Sequence, residues 1–307
     1  MDDIFSYEFL IQDRIDKIKS INTQYDLENN SYLSFSGGKD STVLHYLLDL
    51  ALPNNRIPRV FINTGIEYND IVKFVKELAS KDDRFIIINS CINIKKMLEK
   101  YGYPFKSKEH SCKVGQYQNG SRVNSIIKYK NGGKYGCPKN LMYQYEDDFK
   151  IKLSDKCCQN LKKNIIRKWE KKNNLRISIT GMRKQEGGQR SNIGCILTDN
   201  KGNLKKFHPL LVVDEEWENE FIKHNNIKLC KLYYQPFNFK RTGCKGCPYS
   251  LNLQEQLDVM KDQLPNEYKQ CEILWGPVYE EYRKIGFRLR NNKFEQLTIY
   301  DYIEDKK

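Results

Sequence analysis

The chain has 307 residues and a formal net charge of +13, from 52 Lys and Arg against 39 Asp and Glu. Its length allows one large α/β domain with an appendage or two modest domains. With a mean hydropathy of −0.72 and no run of roughly 18 apolar residues, it lacks the pattern of a membrane-spanning helix. The acidic start has no signal-like apolar segment, so a cytoplasmic protein is expected. The positive charge favours an anionic partner, either a nucleic acid or an acidic nucleotide.

The first third of the chain alternates helix-like and strand-like segments. Residues 4–21 place apolar side chains at helical spacing and predict a leading amphipathic helix. Strand-like runs follow at 32–33, 57–62 and 85–88, and helix-like runs at 43–50, 69–79 and 92–101. This rhythm predicts an α/β fold with a Rossmann-like, doubly wound, mainly parallel sheet and flanking helices.

A glycine turn joins the first predicted strand to the helix that follows it. Gly37 and Gly38 allow positive φ and close backbone approach, and the start of the next helix presents unpaired N–H groups at the positive end of its dipole. Such a junction binds anions, usually phosphate. The residues predicted to bind phosphate here are Ser36, Gly37, Gly38, Lys39, Asp40 and Ser41.

Two further loops lie where predicted strands end, which is where open parallel sheets place their ligands. The second strand is followed by Asn63, Thr64 and Gly65. A later strand, 175–180, is followed by a basic loop that contains Gly181, Arg183 and Arg190. Because the planar guanidinium fork can donate two hydrogen bonds to one oxyanion, these arginines are predicted to contact a ligand.

The remaining segments define the predicted domains. Residues 102–150 break the rhythm and are rich in Lys, Tyr, Asn and Gly, which predicts an inserted, lid-like segment. We expect a nucleotide-binding domain over 1–230, interrupted by an insertion at 102–156. The rest, 231–307, is predicted to hold a Cys-x-x-Cys loop and a helical extension that breaks at 275–277.

Cysteines that cluster in a cytoplasmic protein are better interpreted as metal ligands or redox groups than as disulfides. Two tight pairs occur, Cys157 with Cys158 and Cys244 with Cys247. A Cys-x-x-Cys turn suits zinc and iron-sulfur alike. A tandem Cys-Cys pair, however, offers two ligands to one tetrahedral ion only with strain, whereas a cubane spreads its ligands over separate irons.

A zinc site remains an alternative, because Cys112 and Cys137 could complete one. Cys91, Cys195 and Cys230 stand alone and are predicted to be packing residues.

These features together resemble a known family. Residues 36–41 are similar to the PP-loop of the adenine-nucleotide alpha-hydrolase superfamily, whose members split ATP between its α and β phosphates or bind an adenylyl-sulfate. Over 25–255, the other features follow in the order found in the phosphoadenosine phosphosulfate (PAPS) reductase family, with Asn63 where an acid is usual and His-Pro-Leu at 208–210. The cysteine pairs resemble those of assimilatory adenylyl-sulfate reductases. That resemblance implies a four-iron, four-sulfur cluster on Cys157, Cys158, Cys244 and Cys247.

The reductases of this family carry a nucleophilic cysteine on a tail motif similar to Glu-Cys-Gly-Leu-His. After Cys247 this chain has only Cys271, in a context that does not match. The family also contains ATP-using enzymes of DNA phosphorothioation and tRNA thiolation. The resemblance therefore implies ATP-pyrophosphatase-type activation for sulfur transfer, in which Lys39 and Arg183 offset developing charge.

Several partners follow from that resemblance. Mg²⁺ would accompany ATP, a nucleic acid is the implied target, and a cysteine desulfurase is the implied sulfur donor. Two alternatives stay open. One is an adenylyl-sulfate or PAPS reductase that uses a thioredoxin-like reductant and releases sulfite. The other is a non-catalytic module that binds a nucleotide or a nucleic acid.

Overall fold

The computed structural model of the protein describes residues 2–186 and 192–291. The chain divides into two compact units. Unit 1 comprises Met1–Ser90 and Ile165–Gly243, and unit 2 comprises Cys91–Asn164 and Cys244–Lys307. None of the described helices is both long and apolar enough to cross a membrane.

Unit 1 is built on a sheet that has six strands in the described part of the chain, in the order β3-β2-β1-β4-β6-β5. The strands are β1 (Ser31–Ser34), β2 (Arg59–Asn63), β3 (Phe85–Asn89), β4 (Ile177–Ile179), β5 (Ile196–Thr198) and β6 (Leu204–Phe207). Neighbouring strands are parallel except for β5, which pairs antiparallel with β6 at the edge. The predicted mainly parallel, doubly wound α/β fold is confirmed.

The helices of this unit flank the sheet, and the apolar core lies between the helices and the central strands. They are α1 (Asp2–Tyr25), α2 (Leu27–Asn30), α3 (Lys39–Ala51), α4 (Asn69–Ala79), α9 (Asn164–Asn173, which starts at the unit boundary) and α10 (Glu215–His224). On α3, Leu44, Leu47 and Leu48 have no exposed surface, and neither does Leu33 on β1. Because α3 follows β1 directly, this apolar packing holds the loop between them in place.

Unit 2 is largely helical. Its helices are α5 (Ile94–Tyr101), α6 (Lys108–Gln118), α7 (Asn124–Lys130), α8 (Lys156–Cys158), α11 (Leu253–Gln263) and α12 (Pro265–Ile285). A π-helix, Gln159–Lys163, follows α8 directly. The two segments of the unit share one core, in which the rings of Phe105 and Tyr282 lie 4.6 Å apart between centroids.

The unit boundaries differ from the predicted domains. The insertion was placed at 102–156, whereas compact unit 2 takes in 91–164 together with the chain from 244 onward. The physical reason lies in long-range contacts such as the hydrogen bond from the Lys106 N–H to the Tyr282 hydroxyl, at 2.7 Å.

The predicted break at 275–277 is wrong, because α12 runs through Pro277 without interruption. Tertiary contacts hold the helix on both sides of the proline. The Trp275 indole N–H donates to the Lys245 carbonyl at 3.2 Å, and the Tyr282 hydroxyl donates to the Pro248 carbonyl at 2.9 Å. Pro277 lacks the N–H that would bond the carbonyl of Ile273, a residue that is 70% exposed. These contacts also fix the Cys-x-x-Cys turn against α12.

Candidate functional site

The phosphate loop, residues 36–41, is closed by hydrogen bonds among its own atoms. The Ser36 N–H donates to the Ser41 hydroxyl oxygen at 3.2 Å, and the two serine hydroxyl oxygens lie 3.0 Å apart. The Ser41 hydroxyl donates to the Gly38 carbonyl at 2.9 Å. The loop is therefore shaped by its own residues, and Gly38 caps the N-terminus of α3.

Two glycines in this region are required by close packing. Gly37 has a φ of +72°, and a Cβ atom there would lie 2.8 Å from the Ile71 side chain on α4. A Cβ atom at Gly181 would lie 2.8 Å from the Asp40 carbonyl oxygen. Gly181 thus allows the end of β4 to approach the first turn of α3, which brings the Arg183 loop beside the phosphate loop.

Lys39 is held by one face of α10. Its Nζ lies 3.1 Å from Glu215 Oε1, 3.4 Å from Glu218 Oε2 and 3.4 Å from Asn219 Oδ1. Positions 215, 218 and 219 have the i, i+3, i+4 spacing that places side chains on one helical face. The Asp214 side chain caps this helix by accepting from the Trp217 N–H at 2.8 Å.

Arg183 lies in the same cluster and is mostly buried. Its Nε donates to Asp40 Oδ1 at 2.7 Å, and its Nη2 lies 3.5 Å from Glu218 Oε2. Both cations predicted to act on a phosphate therefore meet carboxylates in this structure. Carboxylate and phosphate oxygens accept hydrogen bonds from the same donors. An anionic ligand could therefore replace these carboxylates as the partner of Lys39 and Arg183.

Glu218 is the least expected member of the cluster. It has no exposed surface, and its Oε2 lies 3.4 Å from Lys39 Nζ and 3.5 Å from Arg183 Nη2. Burial, followed by the nearby Asp40 carboxylate, raises the pKa of Glu218 to about 8, although Arg183 and Lys39 act to lower it. The surroundings of Glu218 therefore favour its protonated form, in which it compensates less of the positive charge of Lys39 and Arg183.

A tyrosine also supports the loop. The Lys39 N–H donates to the Tyr233 hydroxyl at 2.9 Å, and that hydroxyl lies 2.7 Å from Thr242 Oγ1. Burial raises the pKa of Tyr233 to about 12. The role of this tyrosine is not apparent from the sequence, because 194 residues separate it from Lys39. Glu215, Glu218 and Asn219 were also missed, although their helical spacing could have indicated a shared face.

The four predicted cluster cysteines all lie in unit 2. Cys157 and Cys158 are both on α8. Cys244 and Cys247 flank a turn in which the Cys247 N–H donates to the Cys244 carbonyl at 3.2 Å. Burial raises the pKa of Cys157, and interactions with Cys158, Cys244 and Cys247 raise it further. The Cys157 thiol therefore interacts electrostatically with each of the other three.

The four thiols do not yet form an assembled ligand set. Over residues 2–186 and 192–291, no three His, Cys, Asp or Glu side chains are arranged to hold a metal ion. The composition of the group nevertheless suits an iron-sulfur cluster or zinc, since all four donors are thiols. Neighbouring thiolates also repel one another unless a cation lies between them.

The other cysteines occupy different surroundings. Cys271 is 1% exposed, and a side chain at Gly246 would collide with it. Burial raises the pKa of Cys137 to about 11, and its thiol donates to the Pro138 carbonyl at 3.6 Å. Cys112 interacts electrostatically with Asp155.

A family model described as the phosphoadenosine phosphosulfate reductase domain matches residues 30–250. The chain belongs to this family. The predicted family is therefore confirmed, and the match contains both the phosphate loop and the four cysteines.

One known sequence and three solved structures that resemble this PAPS reductase family member share limited identity or coverage with it. An uncharacterized protein of Methanocaldococcus jannaschii is 36% identical over 104 residues, which are 31% of this chain and only 25% of that protein. The PAPS reductase of Candida auris is 14% identical, with a TM-score of 0.41 over 75% of this chain and 93% of that one. Yeast FAD synthetase is 17% identical, with a TM-score of 0.43 over 75% and 62% of the two chains. NAD synthetase from Campylobacter jejuni is 13% identical, with a TM-score of 0.40 over 88% and 93%.

The remaining predicted positions of this family member have local partners. Asn63 donates to Asn89 Oδ1 at 3.0 Å and accepts from the Gly65 N–H at 3.2 Å, while the Thr64 hydroxyl donates to the buried Glu67. Contact of these residues with a ligand stays a prediction. Arg190 lies outside the described residues.

Proposed function

We propose that the protein is an enzyme that binds ATP at the phosphate loop and uses it to activate an acceptor for sulfur transfer. The observation that carries this proposal is the pairing of Lys39 with Glu215 and of Arg183 with Asp40, directly beside residues 36–41. Membership of the PAPS reductase family supports an adenine nucleotide as the ligand. FAD synthetase and NAD synthetase, which resemble the chain only distantly, are also nucleotide enzymes by name.

The proposed binding step exchanges the partners of the two cations. The triphosphate of ATP would approach the N–H groups at the start of α3 and draw Lys39 from Glu215 and Arg183 from Asp40. Glu218, whose pKa is raised to about 8, would stay protonated beside the incoming negative charge. A neutral Glu218 avoids placing a buried carboxylate next to a phosphate.

The proposed reaction has two steps. An oxygen of the acceptor attacks the α-phosphorus of ATP, so that a new O–P bond forms and pyrophosphate leaves. A sulfur donor at the oxidation level of hydrosulfide then attacks the atom that carries the adenylated oxygen, and AMP leaves with the electron pair of the broken bond. No net oxidation or reduction occurs. Lys39 and Arg183 would offset the charge that develops on the phosphates, and Mg²⁺ would accompany ATP.

We propose Cys157, Cys158, Cys244 and Cys247 as the ligands of a four-iron, four-sulfur cluster, with zinc as the alternative metal. The mutual interaction of these thiols supports the assignment. When bound, such a cluster would supply a place where sulfur is held for delivery. The proposed donor is a cysteine desulfurase, whose persulfide sulfur is released at the hydrosulfide level by a two-electron dithiol reductant that becomes a disulfide. The proposed acceptor is a nucleic acid.

The reductase alternative requires an accessible thiolate that attacks the sulfur of a bound sulfonucleotide. Cys271, the candidate that follows the Cys-x-x-Cys turn, is 1% exposed, and burial raises its pKa to about 12. A buried, protonated thiol is a poor nucleophile, which favours ATP-dependent activation.

Product analysis tests the reaction. Anaerobically purified protein is incubated with α-labelled ATP, single-stranded RNA or DNA and sulfide and, separately, with labelled adenylyl-sulfate plus thioredoxin. The proposal expects AMP and pyrophosphate without sulfite, and Lys39→Ala should slow their formation at least 100-fold, roughly 3 kcal/mol. Lys171→Ala is the matched control, because Lys171 is an exposed lysine outside the site. Sulfite release that disappears in Cys271→Ser would replace the proposal with the reductase. Tight ATP binding without turnover would favour the non-catalytic module.

Metal analysis tests the cysteine assignment separately. The proposal expects about four irons and four sulfides per chain and a brown anaerobic preparation. Cys157→Ser and Cys244→Ser should each lose most of the metal, whereas the exposed Cys91→Ser should keep it. Stoichiometric zinc in a colourless protein would identify the alternative metal. Equal metal content in all variants would reject these ligands.

A further inference from the structure

The positive charge of the chain is concentrated in one quarter of its length. Residues 91–164 contain sixteen Lys and Arg against six Asp and Glu, a net +10 of the whole chain's +13. This stretch is the first segment of unit 2 and will be named the basic segment. An even excess of Lys along the chain does not explain this charge, because the other three quarters of the chain carry only the remaining +3.

The cations of the basic segment have few ionic partners within residues 2–186 and 192–291. Apart from Lys162, none of its Lys and Arg side chains forms an ion pair with any residue that the structure describes. The second segment of the same unit behaves differently. There Lys245 pairs with Glu267, and Arg283 with Glu272. Unpaired cations at this density favour a polyanionic partner.

Aromatic rings are interleaved with these cations. The Arg122 guanidinium carbon lies 3.6 Å from the centroid of the Tyr117 ring, and Lys130 Nζ lies 4.6 Å from the same centroid. Tyr135 is 81% exposed, with Lys134 Nζ 5.4 Å from its ring centroid. Tyr101 is 43% exposed beside Lys100.

Exposed rings beside lysines suit one class of polyanion. Single-stranded nucleic acid offers phosphates to the cations and unstacked bases to the rings, and base stacking on an aromatic side chain is worth about 1–3 kcal/mol per base. A duplex hides its bases, and a sulfated polysaccharide or an anionic membrane has none. We propose that the basic segment binds single-stranded nucleic acid, with Tyr135 as a stacking surface. This deepens the proposed function by locating the acceptor's binding surface, and it rests on that function only for the role of the bound strand.

Binding by labelled 20-nucleotide single-stranded RNA and DNA tests the proposal, with a duplex, heparin and anionic vesicles as competitors. The charge-reversal variant Lys128→Glu/Lys134→Glu/Lys139→Glu replaces three exposed lysines of the segment that make no hydrogen bond or ion pair with the described residues. We expect it to weaken strand binding at least tenfold in low salt and to lower the slope of log K against log salt by about 2. The matched control, Lys171→Glu/Lys172→Glu/Lys201→Glu, changes net charge equally and should weaken binding less than threefold.

The stacking contribution has its own pair of variants. Tyr135→Ala should weaken strand binding about fivefold or more and leave heparin binding unchanged, whereas Tyr135→Phe, which keeps the ring, should bind as the wild type does. Stronger binding of RNA than of DNA, or the reverse, would support the proposal and identify the natural strand.

Equal losses in the two triple variants would overturn the proposal, as would preference for the duplex, heparin or vesicles over the single strand. The assay contains no ATP, so Lys39→Ala should bind the strand normally. Strand binding without ATP turnover would leave this inference standing while the proposed function fails. Turnover without strand binding would do the opposite.

Discussion

The most informative single substitution is Glu218→Gln, which replaces a buried carboxyl group by a neutral amide of the same size. Glu218 has no exposed surface, and burial together with Asp40 raises its pKa from 4.5 to about 8. The folded protein therefore keeps a proton on Glu218 at pH 7, whereas the unfolded chain releases it. Proton release stabilises the unfolded wild type and so lowers its free energy of unfolding at pH 7. The Gln variant has no such proton to release and is not affected.

The magnitude follows from linkage between the pKa and folding. One pKa unit corresponds to about 1.4 kcal/mol, so the interval from the ordinary value of 4.5 to pH 7 corresponds to about 3 kcal/mol. Because the pKa of Glu218 is raised in the folded state, the wild type is as stable as the Gln variant below pH 4.5. Its free energy of unfolding then falls below that of the variant as the pH rises towards 8. Glu218→Gln should therefore match the wild type in acid and exceed it by about 3 kcal/mol at pH 7.

Thermal melting between pH 4.5 and 8.5 measures this difference. For a chain of this size, about 3 kcal/mol corresponds to a rise in Tm of roughly 6 °C. Glu216→Gln is the matched control, because Glu216 is exposed in the same helical turn and its replacement should change Tm little at any pH. A Glu218→Gln variant that is less stable than the wild type at pH 7, and recovers in acid, would refute the reasoning. Glu218 would then be ionised and paired with Lys39 and Arg183.

Three other substitutions have expected outcomes. Gly37→Ala should lower the free energy of unfolding by about 2 kcal/mol and weaken ATP binding, because the residue has a φ of +72° and no space for a Cβ atom. Thermal melting measures the first effect and ATP titration the second. A Tm equal to that of the wild type would contradict the prediction. Asp49→Ala removes the carboxylate that lies 2.7 Å from the fully buried Arg59, and chemical denaturation should show a loss of about 3 kcal/mol. Tyr233→Phe removes the acceptor of the Lys39 N–H, so denaturation should show a loss of about 1 kcal/mol; a loss below 0.3 kcal/mol would mean that water replaces the hydroxyl.

The strands, the phosphate loop and the family were open to prediction because their signals are local. A strand-like run, two glycines and an apolar helix occupy adjacent stretches of chain, and the parallel order of the sheet follows from the alternation of strands and helices. The leading helix was expected at 4–21 and spans Asp2–Tyr25. The helix at 69–79 was also correct and begins at Asn69.

The α12 helix illustrates the opposite case. The local Trp-Gly-Pro sequence predicts a break, but Trp275 and Tyr282 are buried and hydrogen-bonded to the carbonyls around the Cys-x-x-Cys turn. These long-range contacts outweigh the cost of about 3 kcal/mol for a proline inside a helix. Local propensity cannot report contacts that depend on residues some 30 positions away.

By itself, the sequence predicted an anion site after β1 with Lys39 and Arg183 as its cations, and it contained the two cysteine pairs. Only the tertiary structure decided what surrounds those cations. Glu218 and Tyr233 reach the phosphate loop because α10 and the segment after it pack against α3, from positions more than 170 residues away in the chain. Both residues act through burial, which raises the pKa of a carboxyl group and increases the free energy lost when a hydrogen bond is removed. Burial depends on how the whole chain packs, so no single stretch of sequence shows it.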